Sequence, residues 1–444
     1  MKKILFVIFL LFILLSLKTI SLNHQKAFLK DRLHDVENEN KSLRSKLQDL
    51  EENFLQLQIE GKVSRLRELP FIKEPVYREV DRKTLHEKLV EEIQDEYPKQ
   101  DIETTQKVLV KFGFLEPNYN LKDKVINIYG EQIGAFYDVD EKALFKIKGL
   151  GIGQGLQNAI LAHELTHALQ DQHFRIKNLV DSNLRNDDQK LAHLSLVEGD
   201  ASFVTQLYYL HSMKLSVLWD ILSYFFVDQK EFKNAPLVLQ QNMIFPYLKG
   251  IEFVSYIYHK SGWSGINRCF QKPPSSTEEI LHPDKYLADN DAPQMIVFPS
   301  LKEVLSPYVL LEENVIGEFN IRLLFEKFFK SKAFEATAEG WGGDTYQVWE
   351  DKTSSSLILI WLTHWDTPQD ANQFFNGYSQ LVLKKFPDAS QEVKIKDKNL
   401  WKTPQEWILI LKNGKGVLVI EANEKPSIEK MSNSFEEFKD KNYN

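Results

Sequence analysis

The sequence predicts an α+β protein in which an N-terminal membrane segment and a coiled coil precede a mainly helical core and a C-terminal α+β module. Three observations predict this: an apolar run near the N-terminus, a heptad repeat after it, and a change from helical to strand-like patterns beyond Ala338. The net charge of −8 gives no basic footprint for nucleic acid. The single cysteine, Cys269, excludes an internal disulfide and a cysteine-rich zinc site.

Residues 1–22 have the pattern of a signal anchor or signal peptide. Lys2 and Lys3 precede an apolar run from Ile4 to Leu17, which is a positive segment followed by a hydrophobic one. No clean small-residue cleavage site follows, and this favours an uncleaved anchor. Both interpretations export the remaining chain. We therefore expect a membrane-anchored or secreted protein whose main part lies in the periplasm or outside the cell.

Residues 26–60 carry a heptad pattern that predicts a coiled coil. Its apolar a and d positions are Leu29, Leu33, Val36, Leu43, Leu47, Leu50, Phe54 and Leu57. Asn40 is the lone polar residue at an a position, which is a common device for fixing register and strand number. We expect a parallel homodimeric stalk; the alternative is one amphipathic helix packed on its own domain. Gly61 is expected to end the helix, and residues 61–83, with Pro70 and Pro75, form a predicted linker.

Residues 84–335 are expected to form the helical core. The patterns predict a helix from Thr84 to Phe112 broken at Pro98, and a hairpin made of Ile133–Tyr137 and Ala143–Ile147. The glycine-rich segment Gly149–Gly155 follows a strand, but its spacing fails the G-x-G-x-x-G pattern in every register, so we interpret it as a turn. Further helices are expected over Gln189–Tyr224, Gln241–His259 and Leu301–Phe329.

Residues 336–444 are expected to form the C-terminal module. Strand-like segments alternate with helical ones in a ββαββα-like order, which predicts an antiparallel sheet. The strands are Tyr346–Trp349, Leu357–Leu362, Trp407–Leu411 and Gly416–Ile420, and the helices are Pro368–Phe386 and Pro426–Phe438. Because the module concentrates no reactive side chains, packing or recognition is its expected role.

The most informative motif is His163-Glu164-Leu165-Thr166-His167, which reads H-E-x-x-H within an apolar run. Positions i and i+4 share one face of a helix, so the two imidazoles could hold one zinc ion. Glu164 would then lie beside the ion as a general base. The alternative is a buried helix whose polar side chains are satisfied by hydrogen bonds.

A catalytic zinc site needs a third protein ligand. Glu198, in the helical segment that follows, is the favoured candidate, and Asp200 would support the ligands from outside. His173 has the spacing of the metzincin motif, but Gln170 stands where that motif has a glycine. A site with neither ligand is the remaining possibility.

The chain resembles a largely uncharacterised group of exported bacterial gluzincin-like (thermolysin-like) zinc metallopeptidases, over roughly Tyr97 to Trp365. The residues that carry the resemblance are Gly134–Asp138, Ala162–Phe174, Val197–Ala201, Ser275–Pro283 and Gly340–Asp344. The resemblance implies a sheet with an edge strand above a cleft, the H-E-x-x-H helix and a Glu-bearing helix. It does not supply a substrate.

These observations predict zinc-assisted hydrolysis of an amide bond in a protein or peptide. His163, His167 and Glu198 would bind Zn²⁺, and Glu164 would move the proton. Gluzincins use a Tyr or His from outside the zinc helix to stabilise the oxyanion; His282 is the favoured candidate here, and Tyr286, Tyr208, Tyr209 and His211 remain open.

The strand Ala135–Tyr137 could bind an extended substrate by strand addition, or it could be an ordinary half-buried strand. Two rival functions stay open. One is a non-catalytic, membrane-tethered coiled-coil scaffold on a peptidase-like fold, and the other is a zinc hydrolase of cell-wall peptides.

Overall fold

A computed structural model describes residues 2–81, 83–84, 87–88, 90, 99–131, 135–147, 153–180, 184, 186–210, 230–288, 292–329 and 332–442. The fold is α+β, as the sequence predicts. It divides into two compact units, Met1–Lys62 and Val63–Asn444.

Helix α1 runs without interruption from Lys2 to Arg67. The expectation that Gly61 ends it is wrong, because one glycine costs a helix only about 1 kcal/mol relative to alanine. The helix stops instead at Glu68, whose φ of 58° is left-handed, and the Leu69 N–H donates to the Ser64 carbonyl at 3.2 Å. This is the Schellman type of helix end.

In the first unit, the N-terminal part of α1 is long and apolar enough to cross a membrane, and its side chains lie exposed. The apolar run is consistent with a membrane anchor or a signal sequence. The predicted helix over residues 26–60 is confirmed, and its heptad side chains are also exposed.

The second unit begins with a three-stranded sheet and two helices. The elements are β1 (Val76–Val80), α2 (Lys99–Phe112), α3 (Leu121–Glu131), β2 (Ala135–Asp138) and β3 (Ala143–Ile147). The predicted hairpin is confirmed, since β2 and β3 pair antiparallel. Strand β1 lies in the predicted linker and pairs parallel with β3, so the order β1-β3-β2 leaves β2 at an edge. Of the predicted helix over residues 84–112, the part from residue 99 is confirmed, and Pro98 lies outside the described residues.

A set of helices follows: α4 (Gln154–Phe174), α5 (Lys177–Val180), α6 (Asp187–Leu210), α7 (Lys230–Lys233), α8 (Leu237–Gln271), α9 (Thr277–Leu281) and α10 (Pro283–Ala288). The predicted helix 189–224 is confirmed as far as Leu210, and residues 211–229 lie outside the described residues, as do 148–152 of the glycine-rich turn. The predicted helix 241–259 lies within α8, which is kinked at Gly262.

The C-terminal part is a seven-stranded antiparallel sheet in the order β4-β5-β6-β10-β9-β8-β7. Its elements are β4 (Val309–Asn314), α11 (Gly317–Phe329), β5 (Trp341–Glu350), β6 (Leu357–Trp365), α12 (Pro368–Lys385), β7 (Ser390–Ile395), β8 (Lys398–Lys402), β9 (Trp407–Asn413), β10 (Gly416–Ala422) and α13 (Lys425–Asn442). The predicted helix 301–329 is wrong in its first half, because pairing with β5 makes residues 309–314 a strand. Strand β4 therefore precedes the predicted module boundary at residue 336 yet belongs to this sheet.

The central strands of this sheet are buried on both faces, which explains their continuous apolar sequence. On β6, Ile358 and Ile360 pack in a cluster with Ile428 and Met431 of α13. Trp361, on the opposite face, has its ring centroid 5.3 Å from that of Phe374 in α12. Helices therefore cover the sheet on both sides.

Candidate metal centre

Helix α4 places His163 and His167 one turn apart on one face. The two ring centroids are 4.7 Å apart with an interplanar angle of 86°. The helix ends when Arg175 adopts the left-handed conformation and its N–H donates to the Asp171 carbonyl. The motif therefore lies in the middle of a well-terminated helix, as expected from the apolar residues around it.

Glu198 reaches this face from α6. Its Oε2 lies 3.1 Å from His163 Nε2 and 3.6 Å from His167 Nε2. Ligand atoms of the three side chains all lie within 4.8 Å of one another, and no other such group of His, Cys, Asp or Glu occurs in the described part of the chain. The side chains of His163, His167 and Glu198 retain 12%, 11% and 13% exposure, so solvent can reach the group.

Two glycines bring the Glu198 helix against its neighbour. A Cβ on Gly199 would lie 2.3 Å from the carbonyl carbon of Gly250 in α8, and one on Gly250 would lie 2.1 Å from the Ser195 carbonyl oxygen. Only glycine allows two helix backbones to approach so closely. The Gly199 in the Val197–Ala201 motif therefore sets the position of the helix that carries Glu198.

Glu164 points toward the edge strand. Its Oε2 accepts a hydrogen bond of 2.8 Å from the backbone N–H of Tyr137 in β2. The hydroxyl of Tyr137 donates to Asp171, one turn beyond His167 on α4. Burial raises the pKa of Glu164, although His167 and His163 counteract part of this effect. A carboxylate with a raised pKa beside two histidines has the properties of a general base or acid.

The charges of the three candidate ligands are strongly coupled. Burial alone would lower the pKa of His167, but the carboxylates of Glu198 and Glu164 and the hydrogen bond to Gln170 together outweigh it and raise that pKa to about 9. Burial alone would raise the pKa of Glu198, but His167 and His163 hold it far below its usual value. The group therefore attracts a shared cation, and a proton and a metal ion would compete for it.

A chain of hydrogen bonds leads from His167 into the core. His167 Nδ1 lies 2.9 Å from Gln170 Oε1. The Gln170 amide donates from Nε2 to the Val197 carbonyl at 2.9 Å and to Asp200 Oδ2 at 3.0 Å. Both partners only accept, so the amide orientation is fixed and Oε1 faces the imidazole. A neutral, metal-binding His167 would then carry its proton on Nδ1 and offer the Nε2 lone pair on the side of Glu198.

Asp200 in turn meets a cation from the end of α1. Arg67 Nε lies 2.9 Å from Oδ1 and 3.0 Å from Oδ2 of Asp200, and both side chains are fully buried. Asp200 is therefore linked to His167 through Gln170, and its supporting role stays a prediction.

The other predicted residues have different partners. His173 Nε2 lies 2.8 Å from the Pro70 carbonyl oxygen, so the structure does not bring His173 into the three-residue group. His282 caps the end of α9, where its Nε2 lies 3.1 Å from Glu318 Oε1. The Tyr286 hydroxyl donates to the Lys272 carbonyl, and Tyr208 and Tyr209 lie on α6. His211 lies outside the described residues.

One of the two downstream motifs links two helices, and the other links a helix to the large sheet. Asp188, at the start of α6, accepts hydrogen bonds from the backbone N–H and the hydroxyl of Thr277. Asp344 of β5 accepts from the N–H groups of Ile316 and Gly317, just before α11. These contacts give the motifs around His282 and Asp344 a structural function. The role of His282 as oxyanion donor stays a prediction.

Sequence reasoning missed three residues around the site. Gln170 was noted only as a departure from the metzincin glycine, and Arg67 fell in the predicted linker. Tyr247 of α8 stacks near His163, with ring centroids 6.1 Å apart. Neither Arg67 nor Tyr247 is near the motif in sequence, so only their tertiary contacts reveal them.

The chain is similar to a domain family of unknown function and to a solved structure. Residues 307–432 match the model of a domain of unknown function, DUF8575. No curated protein matches the sequence. A solved structure from Chloroflexus aurantiacus, described as "a putative hydrolase with a novel fold", is similar with 13% identity and a TM-score of 0.35, covering 53% of this chain and 87% of that one. At that score the likeness carries no argument about function.

Proposed function

We propose that the protein is a zinc metallopeptidase that hydrolyses peptide bonds outside the cytoplasm. The observation that carries this proposal is the convergence of His163, His167 and Glu198 within 4.8 Å, with Glu164 on the same helix. Two imidazoles and one carboxylate are the donor set of many catalytic zinc sites, which leave a further position open. The partial exposure of all three side chains is compatible with such an open position.

A bound zinc ion supplies Lewis acidity toward a substrate carbonyl and a water molecule. The protein's own side chains hold and transfer the protons of the reaction. Glu164 accepts the proton of the attacking water and delivers it to the leaving amine. The Tyr137 N–H orients its carboxylate for both steps. His282, the predicted oxyanion donor, would have to leave Glu318 to act on substrate.

The same contacts bear on the two rival functions, the scaffold and the cell-wall hydrolase. A non-catalytic scaffold has no chemical need for a carboxylate beside the histidines, yet Glu164 is fixed there by the Tyr137 N–H. A zinc hydrolase of cell-wall peptides would use the same residues. It differs from a peptidase only in the substrate cleaved.

Replacing Glu164 by glutamine is expected to leave zinc binding intact and to lower peptide hydrolysis by about 100-fold or more, the usual scale for a general base. Glutamine keeps the shape and can still accept the Tyr137 N–H, but it cannot take a proton. Zinc content of the full-length chain in detergent is measured by elemental mass spectrometry. Cleavage is measured on a peptide library by mass spectrometry.

Two results would contradict the peptidase proposal. A folded wild-type chain that refuses added zinc would move the scaffold to first place. A zinc-loaded chain that ignores the peptide library but cleaves wall fragments, with loss of cleavage in Glu164→Gln, would identify the wall hydrolase instead.

We also propose that residues 26–60 form a parallel homodimer. The heptad side chains are exposed, from 47% for Val36 to 66% for Leu29. In a parallel pair each g residue faces the e residue five positions later on the second copy. All three charged pairs of this kind are opposite in sign: Arg32 with Glu37, Glu39 with Arg44, and Lys46 with Glu51. Such pairs add little affinity, but they select orientation and register.

Cysteine crosslinking tests this orientation with a matched pair of variants. Asn40→Cys lies at an a position on the seam and is expected to form a disulfide-linked dimer under mild oxidation of the full chain. Asn38→Cys makes the same substitution at the outer f position and is expected to stay largely uncrosslinked. Cys269 is 1% exposed and gives little background. Equal crosslinking of both variants, or none at Asn40→Cys, would overturn the parallel dimer.

A further inference from the structure

Arg67 is a cation buried in the core of the second unit. We propose that it is a positioning residue of the zinc site, acting through Asp200 and Gln170 on His167. This inference rests on the proposed function, because it concerns how tightly the site binds zinc. It assigns a role to a residue that lies about a hundred positions before the zinc motif.

The surroundings of Arg67 argue against a merely stabilising role. Its side chain and that of Asp200 are both fully buried, and its guanidinium lies over the Trp263 ring at 4.4 Å. Neither Nη atom has a hydrogen-bond partner among the described residues. A buried ion pair with unmet donors is on balance a poor source of stability. The pair is better explained by the side chain that it holds in place.

What it holds in place is one oxygen of Asp200. The guanidinium and Gln170 Nε2 both contact Asp200 Oδ2, at 3.0 Å each, so the arginine holds the acceptor of Gln170 in place. That contact, together with the Val197 carbonyl, fixes the Gln170 amide, and its oxygen orients the His167 ring through Nδ1. Outer partners of this kind orient the ligands and tune metal affinity. The left-handed helix end at Glu68 sets the position of Arg67. Arg67 is the first residue in the series of contacts that leads through Asp200 and Gln170 to His167.

The test compares two arginines near the end of the same helix. Arg67→Met is expected to weaken zinc binding by about 10–100-fold, the usual effect of losing an outer partner. Arg65→Met removes an exposed arginine two residues earlier and is expected to leave zinc affinity unchanged. Affinity is measured on the full-length chain in detergent by competition with a chelator of known zinc affinity.

A second variant separates positioning from folding. Arg67→Met/Asp200→Leu removes both buried charges, so it is expected to fold about as stably as wild type. It lacks the Asp200 contact of Gln170, although the Val197 carbonyl remains, and is expected to bind zinc as weakly as Arg67→Met. The side-chain ¹⁵N shifts of His167, recorded on the zinc-free chain at a pH where the imidazole is neutral, give an independent readout, since the Nδ1–H tautomer should lose population in both variants.

The possible results distinguish failure of the Arg67 role from failure of the proposed function. If wild type binds zinc and a folded Arg67→Met, or the folded double variant, binds it equally tightly, the positioning role is overturned and the proposed function stands. If wild type itself binds no zinc, both proposals fail together. Weakened binding in both variants, with Arg65→Met unaffected, supports the role of Arg67.

Discussion

Replacing Glu198 by alanine is expected to remove zinc from the full-length chain. Its Oε2 is the atom that approaches both His163 and His167, so the variant retains only two of three ligands. Loss of an outer partner already costs roughly 10–100-fold in metal affinity, and loss of a direct ligand should cost more than about 100-fold. Zinc per chain, measured by elemental mass spectrometry after dialysis, should fall from about one to near zero.

His173→Ala is the matched control, since it deletes the rival third ligand on the same helix as the motif. His173 is engaged with the Pro70 carbonyl, so its loss should leave zinc content unchanged. If zinc were lost with His173 and kept without Glu198, the site would have the metzincin arrangement and the assignment of Glu198 would be wrong. Circular dichroism of both variants shows whether either result reflects unfolding.

The sequence predicted those parts of the fold in which a local residue pattern determines the secondary structure. His163 and His167 share a face because a helix repeats every 3.6 residues, and this geometry needs no tertiary information. The apolar strand around Trp361 was recognisable because burial on both faces leaves little room for polar residues. Glu198 was favoured because it lies on the following helical segment and completes a two-histidine, one-carboxylate zinc donor set, but periodicity alone cannot say which helices meet.

The parts that sequence missed depend on contacts between distant segments. Strand β4 reads as helical until its pairing with β5 is known, because a short apolar run fits either structure. Strand β1 was hidden by Pro70 and Pro75, which do indicate an irregular segment just before it. Arg67 gave no signal at all, because a basic residue near a helix end is ordinary. Its burial beside Asp200 is visible only in three dimensions.

Gly199→Ala is expected to destabilise the protein by about 3 kcal/mol or more, at the upper end of the usual cost of overpacking. The new methyl group would lie 2.3 Å from the carbonyl carbon and oxygen of Gly250, and a backbone cannot rotate aside as a side chain can. Helices α6 and α8 must therefore separate. The expected result is a lower midpoint of thermal unfolding, together with weaker zinc binding because Glu198 is the preceding residue.

Gly155→Ala is the matched control for Gly199→Ala. It is the same substitution near the start of helix α4, where the added Cβ meets only the Tyr209 hydroxyl at 3.7 Å. Because alanine is the better helix former, Gly155→Ala should be neutral or stabilising by up to about 1 kcal/mol. If both variants unfolded at the same temperature as wild type, α6 and α8 could not be in backbone contact at Gly199. The placement of Glu198 opposite the two histidines depends on that contact, so the candidate zinc site would then lose its structural basis.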